Sequence, residues 1–180
     1  MTGSRVQRVV VGVAETHESA AALAFAMRES ALRGSALDVV TTWTLADGTL
    51  GASGDGVSHD ELPERARRRA QKVQDRAVAL TLQELDVRPV LSRQVLEGDA
   101  GQVLVRVARE ADYLVVGTPT EHPLRPTALG SVSDYCVRNA TCAVVVVQAP
   151  ARKPRAHERE GARYAGRERG TSGSLSRAKP

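Results

Sequence analysis

Gly117, Gly130, Ser131 and Ser133 are the residues of this chain whose types and spacing could hold an anion. They bracket the stretch VVGTPTEHPLRPTALGSVSDYC, residues 115–136, which begins like a buried strand and ends like the start of a helix. A phosphate held at such a turn needs backbone N–H groups unobstructed by side chains and the positive end of a helix dipole behind it. Gly130 permits close approach, and Ser131 opens a helix carrying hydroxyls at Ser131 and Ser133. The same residues have a plainer reading, because Ser131 followed three residues later by Asp134 is an ordinary helix-start signature. Neither a Walker A motif nor GxGxxG occurs in the chain, so residue chemistry alone leaves both readings open.

Other reactive side chains assemble less well. Ser131, Ser133 and Asp134 lie close in sequence, but no GxSxG elbow or histidine partner accompanies them to make a nucleophile. His17 with Glu18, and His59 with Asp60 and Glu61, offer metal-ligating atoms without a spacing that supplies a third and fourth ligand, and they read as surface and capping residues. His122 and Arg125 add positive charge to the loop, either for a bound triphosphate or as plain surface. Binding rather than catalysis is the expectation, with no catalytic residues and no metal site.

The elements that must position this loop alternate along the chain. Residues 6–13, VQRVVVGV, read as a strand buried on both faces, as in a parallel sheet. A helix follows at 17–33, capped by Thr16, with Leu23, Met27 and Ala31 at helical spacing and Gly34 as its stop. Residues 36–43 form a second strand, and the glycine- and serine-rich stretch 48–58 a flexible loop. The spacing predicts an amphipathic helix over 60–85, with Leu62, Ala66, Val73, Ala77 and Leu80 inward and Arg65, Arg68, Arg69, Lys72 and Arg76 on the solvated face. A third strand at 87–96, a helix at 100–110 capped by Asp99, a fourth strand at 112–117, a helix at 131–139 and a fifth strand at 142–148 complete the alternation. This β-α-β order predicts a parallel α/β sandwich with helices covering both faces, and ligands in such sheets gather beyond the carboxyl ends of the strands. The segments VGVAET after strand one and VGTPT after strand four compete for that place.

Composition sets the outer bounds. The 180 residues suffice for one domain, and with 42% apolar and 3% aromatic content and no isoleucine, its core is built of valine, leucine and alanine. No apolar run approaches the roughly 18 residues of a membrane span, and nothing resembles a signal peptide, which places the protein in the cytoplasm. Cys136 and Cys142 have no metal-finger or CxxC spacing and read as reduced core residues. Residues 150–180 are dense in Arg, Gly and Ser and read as a basic disordered tail, either solubilising or weakly attractive to nucleic acid.

From about residue 5 to 148 the chain resembles the universal stress protein family. Its nucleotide-binding members carry G-x2-G-x9-G followed by Ser or Thr, and Gly117, Thr120, Gly130 and Ser131 keep that spacing. The segments VVVGV, LDVVTTW, EGDAGQVLVRVAREADYLVVG and GSVSDYCVRNATCAVVVV are similar to family segments in the same order. The resemblance implies an open five-stranded parallel sheet of order 3-2-1-4-5, Rossmann-like and of the adenine nucleotide alpha hydrolase-like kind, in a domain at 1–149. It implies homodimers through the last strand, whose AVVVV edge invites a second copy. It implies ATP, with Mg²⁺, as ligand: adenosine near Val13 and Thr42, phosphates on Gly117, Gly130, Ser131, Val132 and Ser133.

Two departures bear on that ligand. Thr120 stands where the family has its second loop glycine, and Ala14, beside Glu15, where ATP-binding members place an aspartate. Pro119, Pro123 and Pro126 each remove an N–H donor from the loop. The expectation is therefore a non-catalytic stress-response or regulatory protein with a degenerate adenine-nucleotide site. The alternative is a dimeric interaction module without nucleotide, meeting a protein partner through its dimer surface or its tail.

Overall fold

The valines at 9, 10 and 11 are fully buried because each face of the strand they form is covered by helices. They lie in β1 (Arg8–Gly12) of a computed structural model that describes residues 7–45, 61–118 and 129–149. Around β1 follow α1 (His17–Arg33), β2 (Ala36–Trp43), α2 (Leu62–Glu84), β3 (Leu91–Glu97), α3 (Ala100–Val107), a 3-10 turn (Ala108–Glu110), β4 (Tyr113–Thr118), α4 (Ser131–Asn139) and β5 (Ala143–Gln148). All ladders are parallel and the order is β3-β2-β1-β4-β5, as the resemblance implied.

Side-chain alternation along the strands divides the core in two. Val9, Val11, Leu37, Val39 and Val115 face α1 and α2, where they meet Leu23, Met27 and Val78. Val10, Val40, Leu114 and Val116 face the opposite way, onto Val103 and Leu104 of α3 and Cys136 of α4. Each such valine or leucine removed from water contributes roughly 1.5–3 kcal/mol. The uninterrupted valine runs in the sequence are thus the mark of strands with two covered faces.

Local signals end the helices where expected. Thr16 caps α1 by accepting the Ser19 N–H at 3.2 Å, and Gly34 closes it at φ 64°, a left-handed conformation costly for other residues, while its N–H donates to the Ser30 carbonyl. Asp99 caps α3 by accepting the Gln102 N–H at 3.0 Å. The bounds of α1, β2 and α4 match the sequence expectation residue for residue.

Four expectations are corrected. Ala66 and Ala77 turn inward as expected, but Leu80 is exposed, and the buried face of α2 is completed by Ala70, Gln74, Val78 and Thr81. Gln74 earns that place by donating from Nε2 to the carbonyl oxygens of Val39 and Gln94, at 3.0 and 2.9 Å, which fastens α2 across β2 and β3. A hydropathy pattern scores the amide as outward because it cannot count hydrogen bonds to the sheet. Strand β3 begins at Leu91 rather than 87, since the residues before it serve as a connector in which Arg88 donates to the carbonyls of Leu82 and Leu85 at the end of α2. The helix expected over 100–110 narrows to a 3-10 turn at its last three residues. Finally, Ser131 does not cap α4: the cap position is Gly130, no side chain caps it, and Asp134 pairs with Arg138 at 2.9 Å.

Cys136 is buried and Cys142 half-buried, both as free thiols. The loop at 48–58, His59 and Asp60, the residues Pro119, Thr120, His122, Pro123, Arg125 and Pro126, and the tail at 150–180 lie outside the described residues.

Candidate functional site

Strand order reverses direction between β1 and β4, which is the switch point where an open parallel sheet leaves a crevice beyond its carboxyl ends. A cleft of about 570 Å³ occupies that place, within the range of small-molecule sites. Gly12 and Val13 at the end of β1, Thr42 on β2, Gly117 on β4, and Gly130, Ser131, Val132 and Ser133 at the start of α4 all line it. Every site residue named from the sequence therefore reaches one cavity, although the chain positions span 120 residues, from 13 to 133.

The floor and one wall are apolar, supplied by Val13, Val40, Leu104 and Val116. The α2 wall brings Ala66, Ala70 and Val73, with Trp43 of β2 packed against the two alanines. Polar groups come from three sides: Glu15, Thr16 and Glu18 at the start of α1, Arg69 on α2, and the first turn of α4. The sequence reading passed over Arg69 and Trp43 as cleft residues, because a helical face and a strand end carry no motif that marks them.

The first turn of α4 is built for backbone donation. Its first internal bond is Asp134 N–H to the Gly130 carbonyl at 2.8 Å, so the N–H groups of Ser131, Val132 and Ser133 precede the helical ladder. Their combined partial charge is positive. Behind them a buried hydroxyl pair ties the helix to β4. Thr118 Oγ1 accepts the Gly130 N–H at 3.1 Å, and Ser133 Oγ donates to the Gly130 carbonyl at 2.9 Å while lying 3.3 Å from Thr118 Oγ1. Ser133 thus turns its hydroxyl inward and offers only its backbone to the cleft. Ser131 keeps an exposed side chain.

Two residues at the cleft's edge, Gly117 and Ala14, have structural roles of their own. A Cβ at Gly117 would come 2.5 Å from the carbonyl oxygen of Glu18 and 2.9 Å from the nitrogen of Ser19, so glycine is needed there for α1 to approach β4. At the other edge, the Ala14 N–H donates to Ser19 Oγ at 2.7 Å, which fixes the turn leaving β1. The signal for Ser19 was present in the sequence as its spacing from Thr16, but pointed only to a helix start.

Fold and cleft together define the Rossmann-like α/β class, with its ligand cavity at the sheet's switch point. Within that class the chain belongs to the universal stress protein family, whose family model matches residues 5–148. A universal stress protein family member from Burkholderia pseudomallei is 23% identical, with 81% of this chain and 98% of that one covered and a TM-score of 0.57. The universal stress protein from Archaeoglobus fulgidus in complex with dAMP is 20% identical over 78% of this chain and 97% of that one, with a TM-score of 0.53. A family protein from Arabidopsis thaliana with AMP bound is 17% identical over 83% and 96%, with a TM-score of 0.54. No curated protein matches the chain. Among the described residues, no helix is long and apolar enough to cross a membrane.

Proposed function

We propose that this protein is a non-catalytic regulatory member of its family that takes an adenine nucleotide in the switch-point cleft. The observation that carries this reading is the convergence of an apolar floor with the uncapped first turn of α4 in one cavity. An adenosine ring system fits against Val13 and Thr42, and a phosphate fits the N–H groups of Ser131, Val132 and Ser133 beside Gly130. Gly117 lines the same cleft and also lets α1 close on β4. The relatives solved with dAMP and with AMP support an adenylate as the ligand class.

A binding role fits the site's hydroxyls. Ser133 Oγ is spent on the Gly130 carbonyl and Asp134 on Arg138, so neither forms a nucleophile and base pair. ATP with Mg²⁺ is the physiological form we favour, in the cytoplasm, with occupancy altering how the protein meets its partners.

The test is calorimetric titration of the purified full-length chain with AMP and with ATP and Mg²⁺, after mass spectrometry for nucleotide carried through purification. Saturable micromolar binding is the expected result. No heat with either ligand and no carried nucleotide would overturn the reading.

One observation favours a second reading, that of an interaction module without nucleotide. Among the described residues, strand β5 pairs only with β4, and Tyr135 and Val137 are exposed on the neighbouring α4. Pairing of two copies along β5 would cover its outer edge. Sedimentation that shows dimers with no nucleotide bound would favour it, and the domain at 1–149 with its basic tail at 150–180 would then act through those surfaces.

A further inference from the structure

Side chains alternate along β2, so Thr41 and Trp43 turn towards α2 while Thr42 between them turns to the other face of the sheet. All three line the cleft, because it lies across the strand's carboxyl end. Trp43 is the one aromatic side chain among the described residues that line it, and the chain has no other tryptophan. Ala66 and Ala70, one turn apart on α2, pack on Trp43, and both line the cleft beside it with Val73. The α2 side of the cavity is thus apolar and aromatic, with the Thr41 hydroxyl set into it.

That hydroxyl has a proton to give. Thr41 is buried, and its Oγ1 lies 3.2 Å from Gln74 Nε2. The two amide hydrogens of Gln74 have nearer acceptors, the carbonyls of Val39 at 3.0 Å and Gln94 at 2.9 Å. An amide nitrogen accepts nothing, so the contact holds the Thr41 oxygen in place without taking its proton. Gln74 Oε1 does not take it either, since that atom is buried without a partner. Thr41 makes no other hydrogen bond among the described residues, and the side chains of Ala70, Val73 and Trp43 around it hold no acceptor. A buried donor is costly to leave unmade, which directs this one to an acceptor inside the cleft.

Resting on the adenylate reading above, we propose that Thr41 and Trp43 are the base-reading residues of the site: the base reaches past Val13 and Thr42 to the α2 wall, Thr41 donates to one of its ring nitrogens, and Trp43 supplies the aromatic surface beside it. Gln74 is a positioning residue that acts through Thr41. The pairing selects a planar heteroaromatic with an unprotonated ring nitrogen, which adenine offers at N1, N3 and N7. The indole favours the larger purine over a pyrimidine, because it gains by contact area with an aromatic ring. The phosphate leaves in the other direction, towards the first turn of α4.

The experiment titrates the full-length protein by calorimetry with AMP and its 1-deaza, 3-deaza and 7-deaza analogues, and follows tryptophan emission in the same titrations. Thr41→Val keeps the shape and leaves Gln74 both of its carbonyl partners, Thr41→Ser keeps the donor, and thermal melting confirms that each is folded. One deaza analogue is expected to bind the native chain roughly three- to tenfold more weakly than AMP, the loss of one hydrogen bond. The valine variant should bind AMP and that analogue alike, and the serine variant should keep the difference. Saturation with AMP should change the emission, which in this chain reports on Trp43 alone. If AMP binds but all three analogues bind the native chain as tightly, if the difference survives Thr41→Val, or if the emission stays unchanged at saturation, the base pocket is overturned while the adenylate reading stands. The native titrations decide this even where a variant does not fold. If neither AMP nor ATP binds the native chain, the adenylate reading itself fails and the base pocket with it.

Discussion

Gly117 of β4 lies against the peptide of Glu18 in the first turn of α1, with room for a hydrogen atom and no more: a Cβ would stand 2.5 Å from the Glu18 carbonyl oxygen. The contact is backbone to backbone, so no side chain can swing away to relieve it. Gly117→Ala should therefore destabilise the fold by about 2 kcal/mol or more, as overpacking of a rigid contact does. Urea unfolding should show a lower midpoint with an unchanged slope. An unchanged midpoint would mean that α1 can shift, and that the glycine answers to a ligand instead.

Thr118 makes a parallel case with hydrogen bonds in place of sterics. Its hydroxyl accepts the Gly130 N–H and lies beside Ser133 Oγ in a nearly water-free position. Thr118→Val keeps the shape and strands the Gly130 donor, at a cost of about 1–3 kcal/mol. Thr118→Ser should recover most of that loss. Because the same bond orients the start of α4, nucleotide affinity should fall in the valine variant and return in the serine variant, when both are compared by calorimetry at a temperature where each is folded.

The legible part of this protein was the part written in periodicity. Valine runs at 9–11 and 144–147, the Thr16 and Asp99 caps and the Gly34 stop each act through neighbours within a few residues, so short-range pattern suffices to place them. Gathering Val13, Thr42, Gly117 and the residues at 130–133 into one cleft needed the family spacing as well, because the strand order that unites them is a long-range fact. What stayed hidden depended on three-dimensional partners. Gln74 is inward only because two strand carbonyls receive its amide, and Gly117 is required only because α1 returns across β4. Arg69 belongs to the cleft only because α2 crosses beside the end of β2.

Burial raises the Cys136 thiol to about 11, with Asp99 and Cys142 adding to the shift, and burial also raises Cys142. In the unfolded chain Cys136 ionises near its ordinary value of 9.0, so between about 9 and 11 the unfolded state sheds a proton that the folded state keeps. The thiol's contribution is fully present below pH 9 and is lost as pH rises through that window. Stability should thus decline with alkalinity by on the order of 2 kcal/mol from this group. Cys136→Ala, followed by urea unfolding from pH 8 to 11, should flatten the decline. Iodoacetamide at pH 8 should label the native chain slowly at Cys142 and leave Cys136 untouched until unfolding.

On the proposed adenylate reading, the two departures from the family pattern, Ala14 and Thr120, should act on different parts of the nucleotide, and two substitutions separate them. Ala14 is exposed on the cleft wall, where the turn is already fixed by its N–H bond to Ser19 Oγ, so a longer side chain there meets no obstacle from its own backbone. Ala14→Asp supplies a carboxylate acceptor for the nucleoside. One added hydrogen bond of that kind is worth roughly 1.5–3 kcal/mol, about a tenfold gain or more in affinity for adenosine and AMP alike. For ATP the gain should be smaller, because the new charge joins Glu15 and Glu18 on the wall that repels phosphate. Thr120→Gly restores the glycine of the G-x2-G-x9-G spacing and should strengthen AMP and ATP while leaving adenosine unchanged, since its effect is on backbone approach to phosphate. Calorimetry of each variant with the three ligands reads these patterns directly. A gain for adenosine from Thr120→Gly, or none for any ligand from Ala14→Asp, would show that the nucleoside does not lie along the end of β1.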